Sequence, residues 1–318
     1  MIRTVLLTQK RYYDYNTYLR GIFGRRVQKI SIDAGLTCPN RDGRISTGGC
    51  IYCNARGSGT DAFAEGLSVT DQISRSKAFM ASRYKADKFI AYFQSFSNTY
   101  APVPKLKELY DQALEFPDVV GLSIGTRPDC VSEPVLDLLE SYAHRCLVWI
   151  EYGLQSAQDE TLRRINRGHD FACFQTAVAQ TQNRGIHICA HIILGLPGET
   201  RDMMLDTARK VARMRLDGVK LHLLYVVAGT PLEKLFRQGV YTCLEQMEYV
   251  NLVCDVLELL PPDMVIQRLT GDPHPQELAA PPWALQKTQT LSLIQETLMR
   301  RDTWQGKKYI QEVTLTAS

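Results

Sequence analysis

Short apolar and β-branched runs alternate with longer amphipathic stretches from residue 27 onward. Six of these runs are predicted to be strands: 27–32, 88–94, 119–125, 147–153, 187–195 and 219–227. The stretches between them have helical length and lie at 68–82, 105–115, 132–143, 159–183 and 201–215. Strands joined by helix-length crossovers indicate βαβ units and a parallel sheet, and nearly continuous apolar runs indicate burial on both faces. The pattern predicts an α/β fold, either a barrel or an open sheet.

The pattern changes after residue 230. Two helices are predicted, at about 243–259 and 284–299, around the Pro-rich stretch LPPDMVIQRLTGDPHPQELAAPPW, which is predicted to be irregular. We therefore expect a basic, aromatic N-terminal extension (1–27), an α/β unit (28–230) and a C-terminal extension (231–318). The 318 residues are 45% hydrophobic, which suits a protein with a large core.

Positive charge is concentrated at the N-terminus. The first 30 residues hold seven Lys or Arg against one acid, a local charge of +6, although the whole chain carries only +3. The basic residues are Arg3, Lys10, Arg11, Arg20, Arg25, Arg26 and Lys29, and the rings among them are Tyr12, Tyr13, Tyr15, Tyr18 and Phe23. Cations beside rings suit binding to nucleic-acid phosphates and bases. A solvated amphipathic segment packed by its tyrosines is the alternative.

The chain has no apolar stretch of eighteen residues, and its first apolar run is too short for a signal peptide. These features predict a cytoplasmic protein that does not bind membranes. Its nine cysteines are then expected to be reduced, and three of them cluster in CPNRDGRISTGGCIYC, at Cys38, Cys50 and Cys53. Clustered reduced thiols favour a metal site over a disulfide framework.

The spacing of these cysteines, C-x11-C-x2-C, offers three thiolates, and no His occurs before residue 144. A structural zinc site uses four ligands. Three thiolates suit a 4Fe-4S cluster that leaves one iron open. Zinc completed by a distant Cys or His remains the alternative.

Polar motifs follow successive predicted strands, where a parallel α/β fold places its chemistry. They are QSFSNTY (94–100), GTRPD (125–129), EYGLQS (151–156) and GLPGE (195–199). His187, Cys189 and His191 share one face of the fifth strand, and Lys220 and His222 share one face of the sixth. If those faces look inward, His191, Lys220 and His222 are candidate catalytic residues, although a single core His is more often structural.

Taken in order, the motifs GLTCPNRDGRISTGGCIYCN, YFQSFSNTYAP, GTRPDC, EYGLQS, INRGHDF, HIILGLPGE, KLHLLYVVAGTPL and LTGDPHPQELAAPPW resemble those of the radical S-adenosylmethionine (SAM) superfamily. The closest resemblance is to the YhcC/YtqA-type family, in the branch of the Elongator catalytic subunit. It extends from about residue 28 to the C-terminus. One departure is the usual C-x3-C-x2-C motif, which is widened here to eleven residues between the first two cysteines.

The resemblance implies a partial (β/α)6 barrel whose Cys38, Cys50 and Cys53 hold a 4Fe-4S cluster, with SAM on the open iron. Reductive cleavage of SAM would give a 5′-deoxyadenosyl radical that abstracts hydrogen from a substrate. Tyr52 and the turn that contains Gly195, Pro197 and Glu199 would shape the adenine site. The remaining cofactor residues implied are Gln94 and Ser95 near methionine, Glu151 and Gln155 near the ribose or sulfonium, and Arg127. A salt bridge between Glu151 and Arg127, and an ordinary turn at 195–199, are the alternatives.

Relatives in this branch act on the wobble uridine of transfer RNA, which implies a tRNA substrate modified at an aminomethyl-type C5 substituent. Further phosphate contacts are predicted at Arg163, Arg164, Arg167, His169, Arg300, Arg301, Lys307 and Lys308. A reductant such as flavodoxin or ferredoxin is also implied. The alternatives are a radical enzyme that acts on a small metabolite or tetrapyrrole, and a non-catalytic metal-binding module. The sequence does not determine the oligomeric state.

Overall fold

A computed structural model describes residues 10–57, 63 and 65–310. The N-terminal residues 1–9, with Arg3 of the basic segment, lie outside the described residues. The strands are β1 (Val27–Ile32), β2 (Lys88–Phe93), β3 (Val119–Thr126), β4 (Leu147–Gln155), β5 (His187–Leu194), β6 (Gly218–Leu223), β7 (Val226–Val227), β8 (Val265–Arg268) and β9 (Leu278–Ala280). The helices are α1 (Tyr15–Phe23), α2 (Val69–Tyr84), α3 (Val103–Leu114), α4 (Glu133–Ala143), α5 (Asp159–Arg164), α6 (Phe171–Thr181), α7 (Arg201–Ala212), α8 (Pro231–Arg237), α9 (Gln246–Leu259) and α10 (Lys287–Arg300).

Seven strands form one parallel sheet in the order β1-β2-β3-β4-β5-β6-β8. One face of each strand packs under the crossover helices, as Ile30, Phe93, Leu122 and Ile150 do in the main hydrophobic core. Residues of the opposite parity line the concave side, and several are polar. This architecture confirms the prediction of a partial barrel with helices outside and a mostly helical C-terminal region. The prediction was possible because strands covered by helices are rich in apolar residues.

Three predicted elements were wrong in detail. The predicted helix 159–183 is two helices, α5 and α6, because Asn166 (φ 52°) and Gly168 (φ 79°) adopt left-handed backbone between them. The sixth predicted strand ends at Leu223, and residues 226–227 pair instead with β9 in a small antiparallel sheet. The stretch after residue 260 was predicted to be irregular, but it contains β8, which pairs with β6.

The N-terminal segment closes the lower end of the barrel, where the strands begin. Asp14 caps α1 by accepting hydrogen bonds from the backbone N–H groups of Asn16 and Thr17. Tyr15 and Tyr18 then pack edge-on against the fully buried Trp149 of β4, at ring-centroid distances of 5.9 and 5.5 Å. These two rings are part of the packing, as the alternative interpretation of the segment proposed, and do not offer free stacking faces.

No helix among the described residues is both long and apolar enough to cross a membrane.

Candidate active site

The polar strand ends surround a cavity of about 310 Å³ at the carboxyl edge of the sheet. It is lined by ten of the predicted site residues: Cys38, Cys50, Tyr52, Cys53, Gln94, Arg127, Glu151, Gln155, His191 and His222. The parallel topology explains this convergence, since all carboxyl ends of the strands lie on one edge. Ser95 is buried beside the cavity, and its Oγ has no hydrogen-bond partner among the described residues.

The loop after β1 carries the three cysteines and is fixed by its own backbone. The N–H of Arg41 donates to the carbonyl of Cys38 at 2.8 Å, and the N–H of Cys53 donates to the carbonyl of Cys50 at 3.0 Å. Asn40 Nδ2 donates to the carbonyl of Asn166 at 2.6 Å. The loop is therefore tied both to itself and to the break between α5 and α6.

Cys50 is buried and receives side-chain hydrogen bonds from Arg167 Nη1 at 3.6 Å, from Asn40 Nδ2 at 3.7 Å and from the Tyr52 hydroxyl. Burial acts to raise the pKa of the Cys50 thiol, but the charge and hydrogen bond of Arg167 hold that pKa below its ordinary value. The site thus favours a thiolate, which is the form that binds metal.

Two arginine nitrogens without a hydrogen-bond partner among the described residues are available to bind an anionic group beside these thiols. Arg127 Nη1 and Arg167 Nε are buried and have no hydrogen-bond partner within the described part of the chain. The described His, Cys, Asp and Glu side chains include no group of three arranged to hold one metal ion. Cys38, Cys50 and Cys53 line one cavity together with these unpartnered guanidinium nitrogens, which suits an anionic 4Fe-4S cluster held by three thiolates.

Glu151 does not pair with Arg127. Arg127 forms a two-pronged ion pair with Asp129, at 2.8 and 2.6 Å. The Glu151 carboxylate is fully buried and accepts hydrogen bonds from Lys29 Nζ at 2.6 Å, His191 Nε2 at 2.8 Å, Lys220, Ser123 and Tyr92. Burial acts to raise the pKa of Glu151, but the charges of Lys220 and Lys29 hold it well below its ordinary value. Glu151 is therefore the anionic centre of a buried network that borders the cavity.

The inward parity predicted for β5 and β6 agrees with the structure. His191 and His222 line the cavity, with ring centroids 5.2 Å apart, whereas Lys220 is buried behind them on Glu151. Burial lowers the pKa of His191 to about 4 and that of Lys220 to about 7, and it holds the pKa of His222 well below its ordinary value. Both imidazoles are neutral at neutral pH. His187 instead stacks on Trp149, with ring centroids 5.0 Å apart.

The GLPGE turn lies outside the cavity lining. Gly195 has a φ of 90° and its carbonyl accepts from Tyr241 Oη at 2.9 Å. The carbonyl of Pro197 accepts from Arg164 Nη1 at 3.1 Å, and Glu199 accepts from Ser156. The role of Gly195, Pro197 and Glu199 at the adenine site therefore stays a prediction. A smaller pocket of about 170 Å³ adjoins the cavity, and its mixed lining combines Tyr52, Ile193 and Leu224 with polar side chains such as Asn54 and Gln155, which suits a planar ring that carries polar groups.

Several site residues were not predicted. Residues that follow β6 supply one wall of the cavity, with Tyr225, Arg268, Asp272, His274 and Glu277. All except Tyr225 and Arg268 belong to the LTGDPHPQEL motif, whose concentration of charged residues and glycine was the available signal. Arg167 was assigned to phosphate contact, but it is buried on Cys50. Its neighbours Arg163 and Arg164 contact Glu160, at 2.5 and 3.6 Å.

Comparison with protein families identifies two domains. The Radical SAM superfamily matches residues 41–211, and the Radical SAM C-terminal domain matches residues 216–300. The chain is 44% identical to YtqA of Bacillus subtilis over 94% of this chain and 93% of that protein. It is 39% identical to YhcC of Escherichia coli, over 82% of this chain and 84% of that protein.

More distant similarity extends to tRNA-related proteins. The chain is 31% identical to the tRNA uridine(34) acetyltransferase of Dehalococcoides mccartyi, over 48% of this chain and 33% of that protein. Human Elongator complex protein 3 is 31% identical over 48% of this chain and 28% of its own length.

Solved structures agree on the fold. Elp3 of Methanocaldococcus infernus superimposes with a TM-score of 0.67 at 16% identity, covering 88% of this chain and 64% of that one. Methylornithine synthase (PylB) superimposes with a TM-score of 0.51 at 13% identity, covering 92% of this chain and 87% of that one. The chain therefore belongs to the radical SAM superfamily, in the Elongator-like YhcC/YtqA family, and its cofactors are a 4Fe-4S cluster and SAM.

Proposed function

We propose that this radical SAM enzyme modifies the C5 substituent, of aminomethyl type, of the wobble uridine of tRNA. The similarity to a tRNA uridine(34) acetyltransferase and to Elongator complex protein 3 supports a tRNA substrate. The superfamily also requires an electron donor, and a flavodoxin or ferredoxin would serve.

One structural observation carries the proposal. A cleft of about 600 Å³ lies beside α1, β1 and β8, where the sheet is open, and its walls bring together six cations and one acid, Asp14. The cations are Lys10, Arg20, Arg26, Lys29, Arg268 and Lys287. Arg20 and Arg26 are exposed. A cleft of this charge suits a polyanion, because each neutralised phosphate releases counterions.

Other predicted phosphate contacts give less support. Arg25 pairs with Asp87 at 2.6 Å, Arg301 pairs with Asp255 at 2.9 Å, and Lys308 pairs with Glu258. These cations are paired with acids, and so are Lys10, Lys29 and Lys287 of the cleft, with Asp14, Glu151 and Asp272. Arg20 and Arg26 are the exposed arginines of the cleft walls, so we place the RNA backbone along the cleft at these two residues rather than along the whole N-terminal segment.

When bound, the cluster and SAM would supply radical chemistry, the abstraction of a hydrogen atom from the substrate. The three cysteines would hold the cluster, and Tyr52 with the smaller side pocket would hold the adenine. His191 and His222 face the space left for the substrate. As neutral imidazoles they can accept or relay a proton, and the Glu151 network fixes the position of His191.

The test is a comparison of tRNA nucleosides, by mass spectrometry, from cells with and without the gene. Accumulation of one C5-substituted uridine precursor in the deleted strain would support the proposal. Complementation with wild-type protein should restore the product, and complementation with Cys50→Ala should not. An unchanged nucleoside profile would contradict the proposal and favour a small-metabolite substrate.

A further inference from the structure

We infer that Arg268 and His222 form a subsite for an anionic oxygen group, a carboxylate or a phosphate, of the substrate. The inference rests on the proposed function, since it concerns the substrate space of the same cavity. It assigns a recognition role to β8, an element that the sequence pattern did not predict.

Arg268 faces the cavity because of an irregularity in β8. Val265 and Ile266 pair with Gly218 and Val219, but the register then shifts, and Arg268 pairs with Lys220. Lys220 points into the barrel, where it contacts Glu151. The extra residue, Gln267, therefore allows Arg268 to share the inward face with Lys220.

The guanidinium of Arg268 has no hydrogen-bond or ion-pair partner among the residues that the structure describes. The carboxylates that line the same cavity are engaged elsewhere: Glu151 with Lys29 and Lys220, Asp272 with Lys287 at 2.6 Å, and Glu277 with Arg56 at 3.0 Å. A partly buried guanidinium without a counter-charge is unfavourable unless a ligand supplies one.

A second unpartnered polar group lies on the same wall. His222 Nε2 is buried and has no hydrogen-bond partner in the described part of the chain. The two side chains come from adjacent strands of the sheet and both line the cavity. Together the Arg268 guanidinium and the His222 imidazole nitrogen could bind a single anionic group in the cavity.

The position of Arg268 favours the substrate over SAM as the source of the anion. Arg268 lines both the cavity and the basic cleft, and the walls of that cleft include no residue of the cysteine loop. The unpartnered donors Arg127 Nη1 and Arg167 Nε belong to residues that line the cavity together with the three cysteines, which would hold the cluster and the iron-bound end of SAM. Arg268 thus stands where a chain from the cleft would enter.

The test uses reconstituted holoenzyme with SAM, without reductant, and calorimetric titration of three probes: uridine, uridine 5′-monophosphate and 5-carboxymethyluridine. At least one anionic probe should bind about tenfold more tightly than uridine, because hydrogen bonds to charged groups are strong. Arg268→Gln should remove that advantage, and Arg268→Lys should keep part of it. Arg237→Gln, an exposed arginine of α8, is the matched control and should keep all of it. Tighter binding of uridine 5′-monophosphate would identify the ligand as a phosphate, and tighter binding of 5-carboxymethyluridine would identify it as a carboxylate.

Equal affinity for all three probes, or an advantage that Arg268→Gln leaves intact, would overturn the inference. A loss of SAM affinity in Arg268→Gln with unchanged probe binding would also overturn it, by assigning the arginine to the cofactor. Titration with orthophosphate and acetate, two anions without a nucleoside, distinguishes failure of this inference from failure of the proposed function. If they bind through Arg268 but no uridine probe binds better than they do, the subsite stands and the nucleoside assignment fails.

Discussion

Arg167 Nη1 donates to the Sγ of Cys50 across 3.6 Å, although the two residues are 117 positions apart in the chain. A second guanidinium nitrogen of Arg167, Nη2, donates to the carbonyl of Gly153 at 2.6 Å, which orients the group. Arg167 therefore brings a fixed positive charge to one thiolate of the cluster site. Hydrogen bonds and charge at cluster sulfurs tune the reduction potential.

We predict that Arg167→Gln makes the midpoint potential of the reconstituted cluster more negative. Removal of a positive charge and a hydrogen bond destabilises the reduced, more negative form. Arg167→Lys, which keeps the charge, should shift the potential less. Redox titration followed by electron paramagnetic resonance gives the potential, and circular dichroism checks folding. An unchanged potential in folded Arg167→Gln protein would show that Arg167 has only a structural role.

The cysteine assignment predicts a selective loss of iron. Cys38→Ala, Cys50→Ala and Cys53→Ala should each prevent binding of about four irons per chain after anaerobic reconstitution, because each thiolate holds one iron. Cys130→Ala is the matched control, since burial raises the pKa of its thiol to about 12 and disfavours a thiolate. Iron content and visible absorption measure the effect. Loss of iron in Cys130→Ala, or stoichiometric zinc in the wild type, would contradict the assignment.

The sequence predicted most of the sheet because its strands are short runs rich in apolar and β-branched residues, separated by stretches of helical length. The first five predicted strands end within two residues of β1 to β5. β8 escaped prediction because its four residues follow Pro261 and Pro262, contain Gln267 and Arg268, and become a strand only by pairing with β6. Such pairing depends on contacts between distant residues, which a local pattern does not contain.

The sequence could predict which residues belong to the site, but not which of their side chains contact one another. A parallel sheet brings strand ends together, so Gln94, Glu151 and His191 could be expected at one edge. The partners of each charge depend on how deep each side chain lies and on how the loops run. Arg167 was therefore predicted to contact phosphate because it lies in a basic motif, but in the folded chain it donates a hydrogen bond to Cys50.

Glu151→Gln should strongly destabilise the protein. Gln carries no charge to pair with Lys29, and the buried Lys220 loses the carboxylate that raises its pKa, so it is left as an amine without its partner. Removing one partner of a buried ion pair typically costs about 3–5 kcal/mol in the free energy of unfolding. Adding Lys220→Met to Glu151→Gln should recover part of that loss, because a buried amine without its partner is removed. Urea denaturation of holoenzyme at pH 7 measures both changes. A loss below about 1 kcal/mol would mean that the network is not a buried charge pair in solution.

Glu199 should make stability depend on pH. Burial raises the pKa of Glu199 from 4.5 to about 7. The folded state therefore binds the proton more tightly than the unfolded state, and this group lowers stability as pH rises from 4.5 to about 7. Glu199→Gln does not titrate, so its melting temperature relative to wild type should increase over that interval and stay constant above it. Scanning calorimetry from pH 5 to 8.5 tests this. A difference that does not vary with pH would contradict the raised pKa.

The basic cleft predicts a salt-dependent grip on tRNA. A plot of the logarithm of the wild-type association constant against the logarithm of the salt concentration should be a line with a negative slope of several units, because each neutralised phosphate releases roughly one counterion. Arg20→Glu combined with Arg26→Glu should weaken binding and flatten this dependence, since both exposed side chains line the cleft. Lys234→Glu with Arg237→Glu makes the same charge change on α8 and is the control. Filter binding between about 50 and 300 mM salt, roughly a sixfold range, gives the slopes. If both double variants weaken binding equally, net charge rather than the cleft determines affinity, and the RNA path along β1 and β8 is wrong.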